Sequence, residues 1–174
     1  MSKFQSASDA RQVAAAIEQI VAQQVSGINA QLISRAYRVS NELTNAVGYV
    51  LRGERTGKRY KVPGTYKRQR DKASGKMLNG VYYTASAPGE PPARRTGVFR
   101  NSWRRRVISE QTGKKVTVKA VTESDIRLKN GDQLGEILEN GTKGRRMAPR
   151  PYAQLVKNRA RDAAVRIFRE PYFK

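Results

Sequence analysis

From Ser8 to Leu51 the chain reads SDARQVAAAIEQIVAQQVSGINAQLISRAYRVSNELTNAVGYVL. Within it Val13, Ile17, Ile20, Val21, Val25, Ile28, Leu32, Ala36, Val39, Leu43, Ala46, Val47 and Val50 recur at steps of three and four, which draws one apolar stripe along an α-helix. Ser6 or Ser8 can cap its start, and Asp9 suits the positive end of the helix dipole. At ~1.5 Å per residue such a helix exceeds about 50 Å, more than a compact domain of this size needs. Two arrangements satisfy the stripe: two successive core helices with a kink near Gly27, or one helix that packs against neighbouring subunits.

A second helical stretch is expected at the far end, from Pro151 to about Arg169. Proline at the first helical position loses no hydrogen bond. Tyr152, Leu155, Val156, Ala160, Ala163, Ala164 and Ile167 form the expected buried face, with Lys157, Arg159, Arg161, Arg166 and Arg169 mostly off it. Between the helices, Ala87-Pro-Gly-Glu-Pro-Pro-Ala93 is a rigid extended linker. Thr96 can cap a short helix running through Trp103. Arg104–Gln111 and Lys114–Thr122 read as a hairpin about Thr112-Gly113. Leu134–Glu139 reads as a third short strand ending at Asn140-Gly141-Thr142, followed by the basic loop Lys143–Arg150. The expected fold is α+β, long N-terminal and C-terminal helices on a small antiparallel sheet. The chain divides into a helical segment (1–51), a basic arm or hairpin (52–86) and an α+β core (87–174), all one domain.

Charge is the next signal. The 174 residues hold 35 Lys+Arg against 14 Asp+Glu, a net charge of +21, which calls for a polyanionic partner. Residues 1–51 carry net +1, residues 52–106 net +13 and residues 107–174 net +7. That asymmetry fits a localised contact better than general solubility. Arg55, Lys58, Arg59, Lys61, Lys67, Arg68, Arg70 and Lys72 are the candidate contact residues of the arm. Tyr60, Tyr66, Tyr82 and Tyr83 interleave with these charges, either to stack on bases or to fill a small β-hairpin.

The chemistry for catalysis is missing. With no Cys and no His there is no disulfide framework, zinc site of the usual kind, thiol nucleophile or imidazole base. Gly53-Glu-Arg-Thr-Gly57-Lys58-Arg59 has three residues between its glycines where a phosphate loop has four, and Arg where the metal-binding hydroxyl belongs. On a strand Glu136 and Glu139 would point to opposite faces. We expect no enzyme, no cofactor and no metal. No apolar run reaches the ~20 residues of a membrane span, and Met1–Arg11 lacks a signal-peptide core. A soluble, intracellular chain with no membrane partner is expected.

Two blocks of sequence carry a resemblance. The first is Ala85-Ser-Ala-Pro-Gly-Glu-Pro-Pro-Ala-Arg-Arg-Thr-Gly-Val-Phe-Arg-Asn-Ser102. The second is Leu134-Gly-Glu-Ile-Leu-Glu-Asn-Gly-Thr142 with Met147-Ala-Pro-Arg-Pro-Tyr152. In order and spacing they resemble the neck or tail-completion proteins of long-tailed bacteriophages, part of the head–tail connector. The resemblance covers about residues 85–160 and rests on Pro91, Thr96, Gly97, Phe99, Glu139, Gly141, Thr142, Arg150, Pro151 and Tyr152. Tyr152 stands where Phe is commoner in the family, and the basic segment 52–80 is larger than in its smallest members. The resemblance implies a virion protein, assembled in the host bacterial cytoplasm, that forms a ring in the neck, six copies being the expected number. Its partners would be further copies of itself, head-completion or connector proteins, and tail terminator or tail tube proteins, with genome DNA passing through the lumen.

Beside the resemblance, Arg150, fixed between two prolines, is a candidate partner for Glu139 within or between subunits. The arm would meet either the backbone of channel DNA or acidic surfaces of adjoining rings. The rival reading from composition is a cellular protein that binds nucleic acid without regard to sequence.

Overall fold

The computed structural model describes residues 7–62, 82–94, 96–112, 115–142 and 146–172, with side chains from Arg11 onward. The N-terminal stretch forms one helix, α1 (Ala7–Val50), 44 residues and ~66 Å long. It runs through Gly27 without interruption, so the expectation of two helices gives way to the single-helix alternative. Alanine and glutamine around Gly27 favour helix strongly enough to absorb the ~1 kcal/mol that a mid-helix glycine costs.

The other elements are β1 (Arg59–Lys61), β2 (Tyr82–Thr84), α2 (Val98–Asn101), β3 (Arg104–Thr112), β4 (Lys115–Glu123), α3 (Leu134–Asn140) and α4 (Ala153–Phe168), of which α2, β3, β4 and α4 pack against α1. The result is an α+β fold with two separate two-stranded antiparallel sheets, β1–β2 and β3–β4. Helix α4 lies against α1, with Tyr152, Val156 and Ala160 in one core cluster with Ala46, Val47 and Leu51. At the other end of α4, Arg35 donates to the carbonyls of Pro171 (2.8 Å) and Phe168 (3.5 Å) and stacks 3.9 Å from the Tyr172 ring centroid. The two helices therefore run antiparallel. A guanidinium as buried as Arg35 needs such acceptors, and the negative end of the α4 dipole supplies them. Arg38 closes the same end with a two-pronged pair to Glu170 (2.6 and 2.7 Å).

The β3–β4 ribbon, in register from Arg104↔Glu123 to Thr112↔Lys115, lays one face on α1. Thr122 Oγ1 meets Thr44 Oγ1 at 3.1 Å, and Arg105 donates to Asn41 Oδ1 at 2.7 Å. Val107, Val116, Val118 and Ala120 share that face and are half-buried, as strand alternation requires.

Several expectations are corrected. Leu134–Glu139 is not a third strand but the helix α3. Its apolar residues Leu134, Ile137 and Leu138 follow a helical spacing, and Gly141 ends it at φ +77°. A Cβ on Gly141 would lie 2.7 Å from the Met147 carbonyl oxygen, so the position admits only glycine without strain. Helix α2 is a single turn ending at Asn101, and its N-cap is Gly97 at φ +85°, with only a long 3.4 Å contact from Val98 N–H to the Thr96 hydroxyl. Pro151 lies outside α4, because Tyr152, drawn inward by its ring contacts, is the N-cap at φ −137°. Leu155, expected in the buried face, is 46% exposed.

The N-terminal half of α1 stands apart. Every residue from 11 to 27 is exposed, including Val13, Ile17, Ile20, Val21 and Val25, at 45–56% exposure. Burial begins around Ile28 and becomes complete at Arg35, Ala36, Val39 and Ser40. The apolar stripe is continuous in sequence, yet only its second half is covered.

Candidate functional site

The two motif blocks, more than thirty residues apart in sequence, meet at the N-terminus of α4. The Glu139 carboxylate accepts the Tyr152 N–H (2.9 Å) and the Ala153 N–H (3.2 Å), so it satisfies N–H groups that a helix start leaves unpaired. The Tyr152 ring stands edge-on to Phe99 (5.8 Å) and Trp103 (5.7 Å), which pack on each other at 5.5 Å. Its hydroxyl donates to the Gly135 carbonyl at 3.2 Å. Burial, followed by the nearby Glu139 charge, pushes the Tyr152 phenol up to about 12. Trp103, which completes this aromatic trio, was not singled out by the sequence. Its four-residue step from Phe99 is the only local signal for it.

Arg150 does not pair with Glu139 within the chain. Its backbone N–H donates to Leu138 O (2.8 Å) and its Nη1 to the Ser86 carbonyl, tying the second block back to the first. Glu139 is already committed to the α4 N-terminus, which is why the pairing fails. Thr142 and Met147 close a small loop, with Thr142 N–H to Met147 O (3.1 Å) and Met147 N–H to Thr142 Oγ1 (2.9 Å). Pro91 presents its carbonyl to the Ser86 hydroxyl at 2.7 Å, and the Pro149 carbonyl takes the Gly89 N–H at 3.1 Å. On α3, Glu136 is exposed and three residues from Glu139, the helical spacing that brings side chains to one side, so the strand argument about opposite faces falls away. Glu139 is nonetheless held by α4.

A cavity of about 400 Å³ opens beside this knot, lined by Leu51, Phe99, Ile126, Leu134 and Leu138. Ser86 and Thr96 bring hydroxyls to it, with no carboxylate among the described lining residues to activate them. Among the described residues there is no group of three or more His, Cys, Asp or Glu, and no helix is long and apolar enough to cross a membrane.

The candidate polyanion residues divide. Arg55 faces inward: Nη1 donates to the carbonyls of Gly53 (2.6 Å) and Glu54 (2.8 Å), and Nη2 to those of Val50 (2.9 Å) and Pro92 (3.2 Å). Its Nε is buried. With both terminal nitrogens engaged and Nε enclosed, Arg55 offers an outside anion little, and we remove it from the contact set. Its chemistry is instead that of a C-terminal clamp on α1, since Val50 is the last residue of the helix. Glu90 works beside it, accepting from Thr56 Oγ1 (2.7 Å), Thr56 N–H (3.2 Å) and Ala87 N–H (2.8 Å). These bonds hold its carboxyl below the usual range, the Thr56 hydroxyl foremost.

Lys58 and Arg59 are exposed on the β1–β2 ribbon. Arg59 lies 4.9 Å from the Tyr82 ring centroid, Lys58 lies 5.9 Å from that of Tyr60, and Tyr60 stacks on Tyr83 at 5.9 Å. The tyrosines thus face each other and the cations within the ribbon. Lys61 pairs across to Tyr82 in register. Lys67, Arg68, Arg70 and Lys72 lie outside the described residues.

Comparison of the chain with protein-family models, curated proteins and solved structures finds no match.

Proposed function

We propose that the chain is a structural subunit of the neck of a long-tailed bacteriophage. Copies associate into a ring between the DNA-filled head and the tail, carry out no chemistry and reside in the virion. The ring is expected to hold six copies and to contact head-completion or connector proteins on one side and tail terminator or tube proteins on the other.

The observation that carries the assembly part is the uncovered half of α1. Five large apolar side chains on a rigid helix, outside the folded body, are costly to leave in water at ~25 cal/mol per Å². From residue 7 to 27 the charged residues are Asp9, Arg11 and Glu18 alone. In a chain of net charge +21, this near-neutral stretch is where identical copies can meet with least repulsion. The resemblance of the two motif blocks supports the placement in a neck. Their mutual packing accounts for their joint occurrence, since each block supplies half of the α4 N-terminal knot.

The test is electron microscopy of purified phage particles carrying this chain, to locate it and count its copies. A closed ring at the head–tail junction is the expected result. Complete, infectious particles formed without the chain would overturn the proposal. So would its purification as a monomer bound to heterogeneous RNA, the result expected of a cellular nucleic-acid-binding protein.

A further inference from the structure

Between the C-terminal end of α1, α2 and α4 lies an open basin of about 900 Å³. Arg52 reaches it from the end of α1, Arg100 from α2 and Arg159 from α4, together with the amides of Asn45 and Asn101. The ion pairs among the described residues are Arg38–Glu170, Arg106–Glu123 and Lys119–Glu110, so none of the three basin arginines is neutralised by a carboxylate. Among the described lining residues Glu42 is the single acid. Arg159 is held in place by the exposed Tyr49 ring, 3.2 Å beneath it, and Arg100 by a 3.3 Å bond from Nε to Asn101 Oδ1. Both keep terminal N–H groups available.

From this geometry we infer that the basin of Arg52, Arg100 and Arg159 is a phosphate-binding site for the backbone of duplex DNA. Three guanidinium groups and two amides present more donors than the two oxygens of one carboxylate can accept. Successive phosphodiesters match that supply, and arginine and asparagine are their usual side-chain donors. The basin is an open concavity and not a ridge that could enter a groove, so its contacts go to the backbone and are independent of sequence. Local charge converges here from three separate elements, two of them in parts of the sequence outside the basic arm. Sequence counting could not bring them together. The inference rests on the proposed ring between the DNA-filled head and the tail, and moves the centre of the expected polyanion contact away from Arg55. Because it is read as DNA affinity and not as oligomeric state, its failure would leave ring assembly to be judged separately.

The experiment is fluorescence anisotropy with a labelled 30-base-pair duplex of arbitrary sequence, titrated across a series of sodium chloride concentrations. Two triple variants of equal charge loss are compared: Arg52→Gln/Arg100→Gln/Arg159→Gln, and Lys115→Gln/Lys129→Gln/Lys157→Gln on other exposed surfaces. Three lost phosphate contacts should lower the slope of log affinity against log salt by about 2–3. The basin variant should therefore bind at least tenfold more weakly at moderate salt, while the control stays within about threefold. The single exposed change Arg52→Gln, with unaltered melting, should lower the slope by about 1. Equal weakening by both triples would show that net charge alone acts, and would overturn the site. Tighter binding of poly-glutamate than of the duplex at matched charge and salt, lost in the basin variant, would also overturn it in favour of an acidic protein.

Discussion

Arg55 directs its terminal N–H groups at four backbone carbonyls, two of which join the end of α1 to the proline-rich segment. Truncating it strands the Val50 and Pro92 oxygens together. Arg55→Ala should lower stability by about 2 kcal/mol, or ~4–8 °C in Tm, with DNA affinity and its salt slope unchanged; thermal melts and anisotropy read both. Sequence alone treated this arginine as one of eight equivalent cations, because charge counting carries no direction for a side chain. Tyr152 provides a second check. Its folded value near 12 lies above the ordinary 10, so the folded protein keeps a proton that the unfolded chain releases. That contribution is complete below about pH 10 and is lost as pH rises toward about 12. Tyr152→Phe keeps the ring packing and gives up one hydrogen bond of about 1 kcal/mol at neutral pH. Its urea midpoint should fall less steeply than the parent's over that alkaline window, and equal slopes would contradict the assignment.

Among elements, periodicity made α1, the β3–β4 ribbon and α4 legible, since each is long enough to display its repeat several times. Seven residues are too few. In Leu134–Asn140 a run of leucine and isoleucine beside glycine reads equally as strand or helix, and Gly141 ends either. The Glu139 contact to α4 and the seat of Tyr152 over Gly135 favour the helix, and both depend on residues far along the chain. The α1 stripe was readable from end to end, but which half is covered depends on where α4 and the ribbon dock. Against the parent diluted until it is monomeric, deletion of residues 1–27 should therefore change Tm by less than about 2 °C, because no side chain from 11 to 27 is buried in the body. A large loss of Tm would mean that this half-helix supports the body.

For the molecule as a whole, composition raises the expectation of a polyanionic partner and excludes thiol and imidazole side chains, while tertiary structure decides which cations lie together. Arg52, Arg100 and Arg159 are scattered over more than a hundred residues and meet only when α1, α2 and α4 pack. The same packing leaves the apolar side chains of Val13, Ile17, Ile20, Val21 and Val25 in solvent. Assembly through that half-helix is the central claim. It is tested most directly by sedimentation equilibrium of the full chain beside its Ile17→Glu/Val21→Glu variant, at salt high enough to screen the net charge. The account predicts a mass several times 19.5 kDa for the parent and a 19.5 kDa monomer, with the parent's helix content by circular dichroism, for the variant. A parent that stays monomeric at every concentration, or a variant that assembles as the parent does, would contradict it.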